Sequence, residues 1–135
     1  MFISREDLNN SLFEEIIDAV TRKSDTRVEY GIKTAIERVK SYLAGRYDLD
    51  KLFAAEGEDR NYMVVDITAN IALYIIADVL EEMPVTIQSS YDETKKLLED
   101  LQAGKAILPG VPAPTDPETG EEDTYVKYGT ITNRY

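Results

Sequence analysis

The sequence predicts a mainly α-helical protein. We expect a compact bundle of four to five helices over residues 1–108, followed by an extended C-terminal arm over residues 109–135 with one or two short β-strands. Apolar residues recur at helical spacing through much of the bundle region. Four prolines then crowd residues 109–117, and β-branched and aromatic residues dominate residues 124–132. The length of 135 residues fits one domain with a real core.

The N-terminal part of the chain predicts three helices. Ser4 can cap a short first turn, and a second helix is expected over residues 12–21. Either Ser24 or Asp25 can cap the third helix, and Gly45 is a natural left-handed stop for it. This third helix is the clearest amphipathic one, and its single apolar stripe consists of Val28, Ile32, Ala35, Ile36, Val39 and Leu43.

Residues 46–59 are predicted to form a connecting loop. Three apolar side chains are expected to pin this loop to the core: Leu49, Leu52 and Phe53. A fourth helix is predicted over about residues 61–82, capped by Asp59 and ended near Pro84. It is apolar nearly all round, which is typical of a helix with neighbours on most sides.

The fourth helix is about as long as a bilayer span, yet it carries Asp66, Asn70 and Asp78 along its length. Carboxylates at those depths are costly in lipid, so we expect a central helix of the bundle and no contact with a membrane. Asp66 and Asn70 lie one turn apart, on one face. They fit a hydrogen-bonded core network, a solvated stripe or a polar contact between subunits.

A fifth helix is predicted to start at Pro84 or at the cap pair Ser89 and Ser90, and to end at Gly104. Its inward-facing residues are expected to be Tyr91, Thr94, Leu97, Leu98 and Leu101.

The composition points away from catalysis. The chain has no Cys and no His, which removes thiol nucleophiles, thiolate metal sites and the usual neutral-pH proton shuttle. No glycine-rich nucleotide fingerprint occurs, and clustered carboxylates such as Glu14-Glu15 lack the spacing of a calcium loop. We therefore expect no enzyme, no metal and no cofactor. The net charge of -11 repels phosphate, so DNA is expected only as passing cargo.

The predicted strands of the arm need a sheet edge, because a lone strand or hairpin is marginal in water. The arm either adds a strand to an adjacent subunit or partner, or folds against its own body, where residues 105–108 could pair with it. Glu81 and Glu82 are expected at the negative end of the fourth helix, facing a basic partner surface or water. The candidate interaction residues are Glu81, Glu82, Tyr125, Val126, Tyr128, Ile131 and Tyr135.

One motif resembles a known family. The third helix and its stop read Tyr42-Leu43-Ala44-Gly45-Arg46-Tyr47-Asp48-Leu49, and the last helix closes on Ala103-Gly104-Lys105. Together with the order of helices, this resembles the small head–tail connector (adaptor, or head-completion) proteins of Mu-like phages and prophages. The resemblance covers roughly residues 2–108.

The resemblance implies a virion structural protein of the phage neck, assembled in the host cytoplasm. Such a subunit would form a homo-oligomeric ring, commonly twelvefold, between the portal protein and the next neck or tail-completion protein. The family offers no catalytic residues to carry over. The alternative is a small helical interaction or regulatory module that dimerises and has no role in the virion.

Overall fold

The computed structural model describes residues 1–9, 25–78, 80 and 82–114. The described residues form helices α1 (Arg5–Asn9), α2 (Asp25–Leu43), α3 (Leu49–Ala54), α4 (Tyr62–Ala77) and α5 (Val85–Ala103), with a 3₁₀ turn at Gly57–Asp59. The mainly helical fold class is confirmed, since these ranges hold helices and no strand. The helix predicted over residues 12–21 and the strands predicted within residues 124–132 lie outside the described residues.

Helix α4 is the centre of the bundle, because α1, α2 and α5 all contact it, while α2 and α5 also contact each other. The start of α2 lies beside the end of α4, where Arg27 Nε donates a hydrogen bond to the carbonyl of Ile76 over 3.3 Å. The end of α4 also lies beside the start of α5, where the rings of Tyr74 and Tyr91 stack with centroids 3.7 Å apart. Helix α4 is therefore antiparallel to both neighbours.

This arrangement gives the bundle two ends. We call the end where α2 and α5 terminate and α4 begins the arm end, and the opposite one the far end. Within the described ranges, no helix combines the length and hydrophobicity that crossing a bilayer requires.

Helix α2 follows its predicted pattern. All six residues of the apolar stripe are buried, the helix ends at Leu43, and Gly45 adopts a φ of 81°. Gly31 lies where α2 packs against α4: a Cβ atom added there would lie 2.5 Å from Cγ1 of Ile76. Only a glycine lets the two helices approach this closely at that point.

The predicted loop over residues 46–59 was wrong in part, because it contains α3 and the 3₁₀ turn. The Asp48 side chain accepts a hydrogen bond from the backbone N–H of Lys51 over 3.2 Å, and so caps α3. The predicted pinning is confirmed, since Leu52 is buried and Leu49 and Phe53 pack against the core.

The predicted start of α4 near residue 61 is confirmed, but its predicted cap at Asp59 and its predicted end near residue 82 were wrong. Its N-cap is Asn61, whose side chain accepts a hydrogen bond from the N–H of Val64 over 3.2 Å, and Asp59 lies in the preceding 3₁₀ turn. The helix ends at Ala77, so Glu82 lies beyond it in the turn before α5. Acidic residues are disfavoured at the negative end of a helix, and Pro84 disfavours helical geometry in the residue before it.

Helix α5 begins directly after Pro84, which confirms one of the two predicted starts. The alternative start at Ser89 and Ser90 was wrong, since both residues lie inside the helix. Thr94, Leu98 and Leu101 are buried, Tyr91 and Leu97 pack against the core, and Gly104 ends the helix with a φ of 80°.

Candidate interaction surfaces

The Tyr42–Leu49 motif forms the corner between α2 and α3 at the arm end. Beyond Gly45, the Arg46 guanidinium reaches the last turn of α5, where its Nε donates to the carbonyl of Gln102 over 2.8 Å. A positive charge is favourable there, at the negative end of the α5 dipole. The corner therefore connects the C-terminal ends of α2 and α5, although more than 40 residues lie between the two helices in the sequence.

The same corner binds the start of the C-terminal segment. Tyr47 is buried, and its hydroxyl oxygen accepts a hydrogen bond from the backbone N–H of Leu108 over 2.9 Å. The backbone N–H of Asp48 donates to the carbonyl of Pro112 over 3.0 Å. Both contacts satisfy backbone groups that a free linker would leave to water.

Residues 105–112, which we call the arm base, are packed against the body. The N–H groups of Lys105 and Ala106 both donate to the carbonyl of Asp100, over 2.8 and 3.2 Å. Leu108 is only 3% exposed, and Val111 packs against the core. The first residues of the predicted arm thus lie against the helical body.

An ion pair attaches α1 to the segment that precedes α4. The Arg60 guanidinium contacts the Asp7 carboxylate through two hydrogen bonds of 2.9 and 3.1 Å, and also donates to the carbonyl of Phe2 over 3.0 Å. Asp7 additionally accepts the N–H of Ser4 over 2.7 Å, which is the half of a capping box that the side chain of the third helical position supplies.

These contacts shift both ionisation equilibria. Burial raises the pKa of the Asp7 carboxyl, but hydrogen bonds from Arg60 and Ser4, together with the charge of Arg60, outweigh it, so the pKa lies below its ordinary value. The hydrogen bond to Asp7 raises the pKa of Arg60. The pair is therefore fully charged at neutral pH.

The polar residues of α4 make a contact with α5. Asn70 Nδ2 donates to Oγ1 of the buried Thr94 over 3.1 Å, while its distance to Asp66 Oδ2 is a long 3.5 Å. Asp66 is exposed and Asn70 is half-buried, so the solvated stripe fits Asp66, while Asn70 forms a hydrogen bond with a core threonine of α5. Asp78 is exposed at the C-cap of α4.

Large apolar side chains are exposed at both ends of the bundle. At the far end, Val85 is 80% and Tyr30 is 62% exposed. At the arm end, Ile107 is 70% and Tyr62 is 62% exposed. Such side chains are candidates for contact with other proteins when they cluster with a charged rim.

Of the predicted interaction residues, only Glu82 is described. It is exposed in the far-end turn, between Asp78 and Val85. Glu81, Tyr125, Val126, Tyr128, Ile131 and Tyr135 lie outside the described residues, so their role stays a prediction. In the part of the chain that the structure describes, no group of three or more Asp, Glu, His or Cys side chains could hold a metal ion.

The sequence did not reveal the partners of Arg46, Tyr47 and Arg60. The motif drew attention to the first two, but Leu108 is 61 positions from Tyr47 and Asp7 is 53 positions from Arg60. Contacts between positions this far apart in one sequence become visible only in the folded structure.

Comparison with known proteins bears on these surfaces. Neither the search of curated proteins nor the search of solved structures found a match. The family described as Bacteriophage Mu, Gp36 matches residues 2–127, which includes the corner motif, all five described helices and the arm base. The chain therefore belongs to the Bacteriophage Mu, Gp36 family and is a phage protein.

Proposed function

We propose that the protein is a virion head–tail connector subunit, which forms a ring between the portal protein and the next neck or tail-completion protein. One observation carries the proposal: a member of this phage family has a helical body that is closed around its own core and exposes apolar side chains at both opposite ends. A subunit held between two different partners needs a docking surface at each end.

The two ends are built from different elements, which suits two different partners. Carboxylates flank the exposed Val85 at the far end, where Asp78 and Glu82 are both exposed. The arm end carries Arg46 and the fastened arm base, and it also exposes carboxylates, among them Asp50, Glu56 and Asp59. A far-end partner is expected to present basic residues around an apolar pocket, because opposite charges at the rim favour the correct encounter.

The arm supplies the proposed contact between subunits. Its β-capable residues Tyr125, Val126, Tyr128 and Ile131 follow a proline-rich spacer, and strand addition to a neighbour would satisfy their backbone groups. Around a ring, one arm per subunit would link every copy to the next. The number of copies is proposed to be twelve.

The charge suits a channel through which DNA passes. A net charge of -11 repels the phosphate backbone, so DNA would slide past without being held. We propose no catalysis and no cofactor for this protein.

The decisive experiment combines the purified chain with the portal protein of the same phage. Light scattering after size-exclusion chromatography would give the mass of any assembly, and negative-stain imaging would show a ring on the portal. A variant with Val85→Asp is expected to lose portal or neck binding if the far end docks there, because it places a charge in an apolar contact. Lys95→Asp, at an exposed position in the middle of α5, is the matched control.

The proposal would be overturned if the chain stays monomeric and binds neither portal nor tail components. A stable dimer without affinity for either would favour the interaction or regulatory module.

A further inference from the structure

We propose that Tyr47, together with the turn at Gly110, fixes the point and direction in which the C-terminal arm leaves the body. They thereby act as positioning residues for the contact with a second copy of this chain. The anchoring stands on the contacts of the arm base alone, whereas its role in assembly rests on the proposed function.

The hydroxyl of Tyr47 makes the central contact. Tyr47 is 9% exposed, and the hydrogen bond that it accepts from the N–H of Leu108 is buried. Removing the hydroxyl would leave that N–H without its acceptor in a place that water reaches poorly, so the arm base would tend to open. Asp48 holds the segment again four residues later, at Pro112.

The turn between these two contacts has a defined geometry. Pro109 precedes Gly110, which adopts a φ of 76° and has no heavy atom near a hypothetical Cβ. A proline followed by a residue at positive φ is typical of a type II turn, and a side chain at the second position is strained by its backbone alone. The turn therefore directs the chain back across α3.

A fixed exit lowers the entropy that the arm loses when it binds. An arm with a free hinge at residue 104 would search a larger volume than one that leaves the body only after Pro112. Pro114 and Pro117 follow in the sequence, and proline restricts the backbone dihedral φ, so we expect the direction set at the arm base to be carried outward. We expect the arm to meet a neighbouring subunit more readily for this reason.

The first test measures the arm directly. The chain has no Cys, so the double substitution Glu93→Cys and Asp116→Cys places one spin label on α5 and one on the arm. Tyr47→Phe and Gly110→Ala are each expected to broaden the distribution of distances between the labels. Tyr42→Phe is the matched control, since its hydroxyl has no hydrogen-bond partner among the described residues. An unchanged distribution for both Tyr47→Phe and Gly110→Ala would overturn the anchoring.

The second test asks whether the anchoring serves assembly. Tyr47→Phe is introduced into the full chain and into a chain with Tyr125→Ser, Val126→Ser, Tyr128→Ser and Ile131→Ser. We expect the concentration for half-assembly to rise about fivefold in the first background, a factor that corresponds to one lost hydrogen bond, and to stay unchanged in the second.

Equal effects in both backgrounds, or no effect in either, would overturn the positioning role. If the unsubstituted chain does not assemble alone or on a portal, the proposed function and the positioning role both fail. The label distances would then still decide whether Tyr47 and Gly110 fix the arm.

Discussion

At the scale of single residues, the ion pair of Asp7 and Arg60 is the strongest polar contact described. Its side chains are only 13% and 17% exposed, and the guanidinium meets the carboxylate through two parallel hydrogen bonds. Charge-assisted pairs of this geometry are stronger than neutral ones, and partial burial protects them from salt. The pair holds α1 and the segment that precedes α4 together.

The pair makes stability depend on acid. The pKa of Asp7 is held below its ordinary value of 3.8, so its contribution to the free energy of unfolding is fully present above that pH and is lost as the pH falls through the folded-state pKa. We expect Asp7→Asn to lower the free energy of unfolding by about 1–3 kcal/mol at pH 7. The difference from the unsubstituted chain should shrink below pH 3.8.

Urea unfolding followed by circular dichroism at several pH values would check this expectation. Glu99→Gln, at an exposed position on α5, is the control and should have no effect of this size. A loss for Asp7→Asn that stays constant down to pH 2 would contradict the ion-pair explanation.

Gly31 has a packing role that the sequence alone did not show. Alanine usually stabilises a helix by about 1 kcal/mol relative to glycine, but here its methyl group would meet Ile76 at 2.5 Å. We expect Gly31→Ala to destabilise the protein by about 1–3 kcal/mol in spite of the better helix propensity, because overpacking outweighs it.

A double-mutant cycle in thermal or urea unfolding isolates the clash. Gly31→Ala combined with Ile76→Ala should cost less than the sum of the two single losses, because the methyl group then has room. Arg38→Ala, on the exposed face of the same helix, should change the free energy of unfolding by less than about 0.5 kcal/mol. Additive losses would show that Gly31 does not act through Ile76.

At the scale of elements, the apolar periodicity of the sequence predicted some of the helices and missed others. Helix α2 was predictable because its apolar stripe and its glycine stop agree with each other. Helix α3 was not, since its six residues make fewer than two helical turns and the cap at Asp48 resembles any turn aspartate. The start of α5 remained open because proline and serine are both good signals for the beginning of a helix.

The cap of α4 offers a direct test at this scale. Asn61 accepts the N–H of Val64, so Asn61→Ala is expected to cost about 1 kcal/mol. Asp59→Ala, which removes the cap that the sequence favoured, should cost less than about 0.5 kcal/mol because Asp59 is exposed. Urea unfolding of both variants decides between the two caps, and a larger loss for Asp59→Ala would contradict the structure.

At the scale of the whole molecule, the bundle and its family could be predicted from the sequence, because the corner motif and the helical pattern are both local. The fastening of the arm base was hidden, since it depends on two hydrogen bonds, from the N–H of Leu108 to the hydroxyl of Tyr47 and from the N–H of Asp48 to the carbonyl of Pro112, that join positions far apart in the sequence. A proline-rich segment reads as a free linker unless such contacts are known.

Two truncated chains test where the folded body ends. A chain that stops after Pro114 keeps every described contact of the arm base, and we expect its melting temperature to stay within a few degrees of that of the full chain. A chain that stops after Leu108 loses the hydrogen bond between Asp48 and Pro112 and the packing of Val111, which should cost about 1–3 kcal/mol. Calorimetry compares the three chains, and equal stabilities of the two truncations would place the end of the body at Leu108.

The central position of α4 has a consequence for synthesis on the ribosome. Its contacts with α1 and α2 close only once residues near position 77 have left the exit tunnel, and the contacts with α5 follow later still. The bond between Tyr47 and Leu108 comes later than these contacts, and the residues predicted to form strands follow it in the sequence. The residues of the bundle therefore leave the ribosome before the predicted strands, so packing within one chain has the earlier opportunity to form.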